Sequence, residues 1–91
     1  MGPGVLVFVM SGCPACHDYT PRFKRLAAAY EAKGMPVRVL DITKDKRAAA
    51  LADSMRVKAT PTTVVHTRGG KTLRRIGSLP DPEIAKLLAK V

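Results

Sequence analysis

The chain has 91 residues, 46% of them hydrophobic, enough for one compact core and too few for a second. Sixteen Lys and Arg against seven Asp and Glu leave a net charge of +9, which biases encounters toward acidic partners. The basic residues are scattered and interleave with few aromatics (Phe8, Tyr19, Phe23, Tyr30), a pattern that argues against a specific nucleic-acid ligand.

The first predicted element is the apolar run Val5-Leu6-Val7-Phe8-Val9-Met10, apolar at every position as a central strand covered on both faces should be. It is too short for a signal-peptide core or a membrane span, and Met1-Gly2-Pro3-Gly4 carries no basic residue. The expectation is therefore a soluble, cytoplasmic protein with no membrane partner. Ser11-Gly12 breaks the run. From Pro14 to about Lys33 the pattern is helical, with Cys16, Tyr19, Phe23, Leu26, Ala27 and Tyr30 on one stripe. Gly34 stops this helix and Pro36 prevents its continuation.

Val37 to Ile42 reads as a second strand, and Ala48, Leu51, Ala52 and Met55 give a short helix from about Asp45. The loop Lys58-Ala59-Thr60-Pro61 leads into a third strand, Thr62 to Thr67. The turn Arg68-Gly69-Gly70-Lys71 connects it to a fourth, Thr72 to Ile76. Asp81 as N-cap, Pro82 as first helical residue and Glu83 open a last helix with Ile84, Leu87, Leu88 and Val91 on its apolar face. The order is β-α-β-α-β-β-α, an α/β fold with a four-stranded mixed sheet: a right-handed βαβ unit followed by an antiparallel hairpin.

The two cysteines, Cys13 and Cys16, lie too close to staple the fold, because a bridge between them closes almost no loop. Their placement points to chemistry. Cys13 ends a strand-to-helix turn, where unpaired N–H groups and the positive end of the helix dipole favour a thiolate. Cys16 lies one turn in on the apolar stripe and should stay protonated until Cys13 carries a mixed disulfide. Pro14 fits the first helical turn, where a missing N–H costs nothing. Metal binding is not expected, since His17 and His66 are the only other His or Cys ligands available. Cys13-Pro14-Ala15-Cys16-His17 also matches a covalent haem-attachment signature, but the strand-rich pattern and the missing export signal count against it. No cofactor is expected. His17 either tunes the Cys13 thiolate or is simply solvated.

With the dithiol opening a helix inside a βαβ pattern, the sequence resembles the thioredoxin superfamily over roughly residues 4 to 90. Pro21 stands where thioredoxins carry a helix-kinking proline. Met55-Arg56-Val57-Lys58-Ala59-Thr60-Pro61-Thr62 is similar to the stretch ending in the family's cis-proline loop, and Arg75-Ile76-Gly77-Ser78-Leu79 to its segment before the last helix. The resemblance implies a single thioredoxin-like three-layer domain over residues 1–91. It also implies a thiol–disulfide oxidoreductase that reduces protein disulfides, with Cys13 and Cys16 catalytic. Thr60, Pro61 (cis) and Gly77 would form the substrate platform, and Gly12, Pro14, Ala15 and His17 would tune the pair.

The chain also departs from the family. It lacks an initial strand and helix, which trims it toward a glutaredoxin-like core. Val7 stands where a buried Asp is expected, Val39 replaces its Lys partner, and Gly12 replaces a Trp. Proton removal from Cys16 is then left to water, Asp18 or His17. The Pro14-Ala15 pair is neither the thioredoxin Gly-Pro nor the glutaredoxin Pro-Tyr, so the electron donor stays open between a thioredoxin reductase and glutathione. A glutathione-coupled reductase, a metal or haem carrier and a non-catalytic adaptor are the competing readings.

Overall fold

A computed structural model describes residues 2–91. Its elements are β1 (Gly4–Val9), α1 (Pro14–Ala32), β2 (Val37–Asp41), α2 (Lys46–Ser54), β3 (Thr62–His66), β4 (Thr72–Ile76) and α3 (Asp81–Leu88). The sheet order is β2-β1-β3-β4; β1 and β2 are parallel, and the other two pairings are antiparallel. This is the expected α/β architecture with a four-stranded mixed sheet.

Side-chain alternation along β1 divides the core. Val5, Val7 and Val9 pack with Cys16, Tyr19, Phe23 and Ala27 of α1, Val65 of β3, and Ile84, Leu87 and Leu88 of α3. On the opposite face Phe8 packs with Ala52 of α2 and Val64 of β3. One face therefore carries two helices and the other only the short α2, whose N-cap Asp45 accepts from the N–H groups of Arg47 and Ala48. The strand-to-strand crossover through α1 places Cys13 at the carboxyl end of β1.

Several expectations need correction. Met10 is not part of the strand: β1 ends at Val9, and Met10 is 40% exposed where the chain turns toward the cysteines. Leu6 is only half-buried, because α2 does not reach across the whole of its face. Leu51, expected on the buried side of α2, is exposed for the same reason. Ile42 and Thr67 fall one residue outside their strands, whereas α1 ends as expected, at Ala32 with Lys33 as its cap. Asp81 does not cap α3. Pro80 occupies the N-cap position, Pro82 comes one residue later than expected, and the Asp81 carboxylate faces α1 instead.

Candidate redox site

The site begins with a helix cap. Cys13 has extended backbone geometry and serves as the N-cap of α1, its Sγ accepting the Cys16 N–H at 3.2 Å. A sulfur that accepts an orphan N–H is favoured as the anion, because the helix start is rich in unpaired donors. Gly12 (φ +76°) supplies the left-handed residue that swings the chain from β1 into this cap. Pro14 and Ala15 are exposed in the first turn, while Cys16 is buried, 4% exposed, beneath Cys13.

The cis Thr60–Pro61 bond brings the start of β3 against the helix tip. The Thr60 hydroxyl donates to Cys13 Sγ at 3.6 Å, and the Cys13 thiol lies 3.7 Å from the Thr60 carbonyl oxygen. Pro61 is buried, and its carbonyl accepts the Gly77 N–H at 2.8 Å. Gly77 has φ +95°, which favours glycine where the chain leaves β4. Thus Cys13, Cys16, Thr60, Pro61 and Gly77, separated by up to 64 positions in sequence, form one connected cluster, with Cys16 and Pro61 buried in it. Both cysteines are free thiols.

Their environments push them apart. The Cys13 thiol is held below its ordinary value, first by the hydrogen bond from the Cys16 side chain and next by that from Thr60, with partial desolvation opposing. Burial pushes the Cys16 thiol up, the neighbouring Cys13 sulfur pushes it the same way, and the Met10 backbone opposes them. Val7, fully buried in the same cluster as Cys16, and partly buried Val39 keep this side of the dithiol apolar.

His17 is exposed on the outer side of α1. The hydrogen-bond partners of the Cys13 sulfur are the Cys16 backbone N–H and the hydroxyl and carbonyl of Thr60. Asp18 points elsewhere: its carboxylate accepts from Arg22 at 2.8 Å and from the Ser78 hydroxyl at 3.0 Å, and Arg22 holds its pKa below the usual carboxylate range. A carboxylate so stabilised is a poor base for Cys16.

Two contacts were not evident in the sequence. Asp41, at the carboxyl end of β2, accepts from the Ser11 hydroxyl at 2.9 Å and from the Thr43 N–H at 2.9 Å. Thr43 Oγ1 in turn accepts the Ser11 N–H at 3.1 Å. The turn entering Cys13 is thereby tied to the neighbouring strand, and these bonds, led by the Thr43 hydroxyl, lower the Asp41 pKa to about 2. The available signal was an acidic residue ending a strand parallel to β1, where α/β sheets gather their sites. The second contact is a hydrogen bond at 2.8 Å between the Tyr19 hydroxyl and Thr63 Oγ1, both residues fully buried. No described helix is long and apolar enough to cross a membrane.

A family model described as a thioredoxin-like domain matches residues 2–91, so the chain belongs to the thioredoxin-like family. Solved structures of similar fold include chloroplastic thioredoxin z, with 20% identity, 97% of this chain and 76% of that one covered, and a TM-score of 0.76. Malaria-parasite thioredoxin-2 has 23% identity, covers 100% of this chain and 86% of its own, and has a TM-score of 0.76. MTB DsbF, solved in mixed oxidized and reduced forms, has 15% identity, 97% and 79% coverage, and a TM-score of 0.80. The curated proteins contain no match to the sequence.

Proposed function

We propose that the protein is a thiol–disulfide oxidoreductase that reduces protein disulfides. The observation that carries this reading is the asymmetry of the dithiol: Cys13 Sγ caps α1 and accepts the Cys16 N–H, while Cys16 lies buried one turn below.

In this reading the Cys13 thiolate attacks one sulfur of a substrate disulfide. A Cys13–substrate disulfide forms, and the other substrate sulfur leaves as thiolate and takes up a proton. Cys16 then loses its proton to water, since Asp18 is engaged by Arg22 and His17 is exposed. The Cys16 sulfur attacks Cys13, the second substrate thiolate departs, and the enzyme is left with a Cys13–Cys16 disulfide. Two electrons have passed to the substrate. The backbone at Thr60 and Pro61, which leads into β3 and is braced by the Gly77 N–H on the Pro61 carbonyl, offers an edge on which the substrate segment lies beside Cys13. The net charge of +9 favours acidic substrate surfaces.

The test is insulin-disulfide reduction together with trapping. Cys13→Ser should abolish turnover, and Cys16→Ser should accumulate a mixed disulfide with substrate. Full turnover by Cys13→Ser would overturn the reading. Supplying electrons through a thioredoxin reductase in one assay, and through glutathione with its reductase in another, identifies the donor.

A further inference from the structure

The face of the sheet covered by α2 alone holds an open groove of about 350 Å³ at the end of β1 farthest from Cys13. Its walls are almost wholly apolar: Leu6 and Val64 from the sheet, Leu51 and Met55 from α2, and Pro36 from the loop before β2. The groove exists because α2 has nine residues and reaches only part of that face. Leu6 stays half-buried and Leu51 exposed in consequence.

Among the described residues, one permanently charged side chain lines this groove. Arg38 stands opposite Leu6 in the parallel β1–β2 register, so its side chain rises from the sheet on the same face. It takes part in none of the ion pairs among the described residues, whereas Arg22 and Arg25 are committed to Asp18 and Asp81. His66, also at the groove, has its Nδ1 engaged by the Thr72 hydroxyl at 2.9 Å. Among the described residues the lining includes no acidic one.

The geometry points to a binding site for a free medium-chain fatty acid, its tail against Leu6, Leu51, Met55 and Val64 and its carboxylate on Arg38. Three features select this chemistry. The volume falls at the small-ligand end of the usual range of roughly 300–1,000 Å³ for ligand clefts. An apolar wall with one planar, unpaired guanidinium matches a single-tailed monocarboxylate, which that fork can hold bidentately. The absence of a lining carboxylate removes the repulsion that would exclude an anion. The site is separate from the dithiol and stands independently of the redox reading.

Laurate, added to the full chain below its micellar concentration, provides the test, followed through the methyl resonances of Leu6, Leu51, Met55 and Val64. Saturable, one-to-one shifts confined to those residues are expected. Arg38→Gln should weaken binding about tenfold, the scale of one charge-assisted contact, and Leu51→Asp should block it. Both changes are at exposed positions, and melting curves verify that the variants are folded. Dodecyltrimethylammonium, with the same tail and opposite charge, should not saturate the site. The proposal is overturned by the absence of saturable shifts, by equal affinity of Arg38→Gln, or by equally tight binding of the cationic amphiphile. It is also overturned if sedimentation shows a dimer in which Leu51 is covered by a second copy.

Discussion

Cys13 and Cys16 show how one turn of helix separates two chemically identical side chains. The first sulfur caps the helix and gains donors; the second is carried under it and loses water. Thr60 adds a donor to the first from 47 residues away. Because the Cys13 pKa is lowered, its thiolate persists at pH values where an ordinary thiol is protonated, and reactivity fades only as pH falls through that lowered value. Removing the hydroxyl in Thr60→Val takes away a contribution that lowers the pKa. The pH profile of Cys13 alkylation should therefore move upward, with slower alkylation at neutral pH and an unchanged plateau at high pH. A profile that stays in place would show that the hydroxyl contact does not stabilise the thiolate. Cys16 behaves oppositely: with its pKa raised by burial, it should resist alkylation across the neutral range. The dithiol was legible from sequence because a cap position and an apolar stripe are local properties of the chain. His17 was not resolved by the same reasoning, since exposure on the outer side of α1 depends on where the sheet lies.

At the scale of elements, α1 is fastened to the rest of the molecule at three points. Its stripe of Cys16, Tyr19, Phe23 and Ala27 packs on Val5, Val7 and Val9. Arg22 lies 5.8 Å from the centroid of the Tyr19 ring, and its guanidinium donates to Leu79 O, Asp81, Asp18 and Ser78 at 2.8–2.9 Å. This docks the start of α3 against α1, and it explains why Asp81 faces an arginine rather than capping its own helix. The third point is the Tyr19–Thr63 hydrogen bond, which joins α1 to β3 inside the core. Tyr19→Phe leaves the Thr63 hydroxyl buried without a partner, at a cost of about 1–3 kcal/mol. For a domain of this size, each kcal/mol corresponds to a fall of roughly 4–8 °C in Tm. The double variant Tyr19→Phe/Thr63→Val removes both hydroxyls and should recover most of that loss. Thermal denaturation of the wild type, both single variants and the double variant measures the coupling; additive losses would mean the bond contributes nothing. The pattern of apolar residues located α1 and its buried face correctly. It misplaced Met10, because an apolar run does not reveal where a strand leaves its sheet.

The molecule as a whole carries an excess of nine positive charges on 91 residues, with a sequence pI near 10.2. Charge of this size acts on encounter rather than on the dithiol itself. In the proposed reaction, kcat/KM toward an acidic protein disulfide should fall as salt is raised from low to about 0.15 M, where the screening length shrinks to roughly 8 Å. Reduction of a small neutral disulfide should be nearly indifferent to salt. Equal salt dependence for the two substrates would remove electrostatic steering from the account. The same scale explains the groove. A four-stranded sheet needs cover on both faces, and here one face has two helices while the other has nine residues of α2.

The sequence alone determined the order of elements, the strand-to-helix placement of Cys13 and the burial of Cys16, because periodicity and capping act within one or two turns of chain. Pro61 and Gly77 were singled out only through their resemblance to a family pattern, and the structure joins them by the Gly77 N–H on the Pro61 carbonyl. The tertiary structure decided that the Thr60 hydroxyl reaches Cys13 and that Asp41 holds the turn at Ser11. It also decided that Asp81 turns to Arg22 and that Leu51 is left open beside Arg38. The three hydrogen-bonded contacts span 30 to 59 positions and, like the open groove, depend on sheet register and helix docking. Local spacing carries no information about either, since many registers satisfy the same alternation and only the packed core selects one.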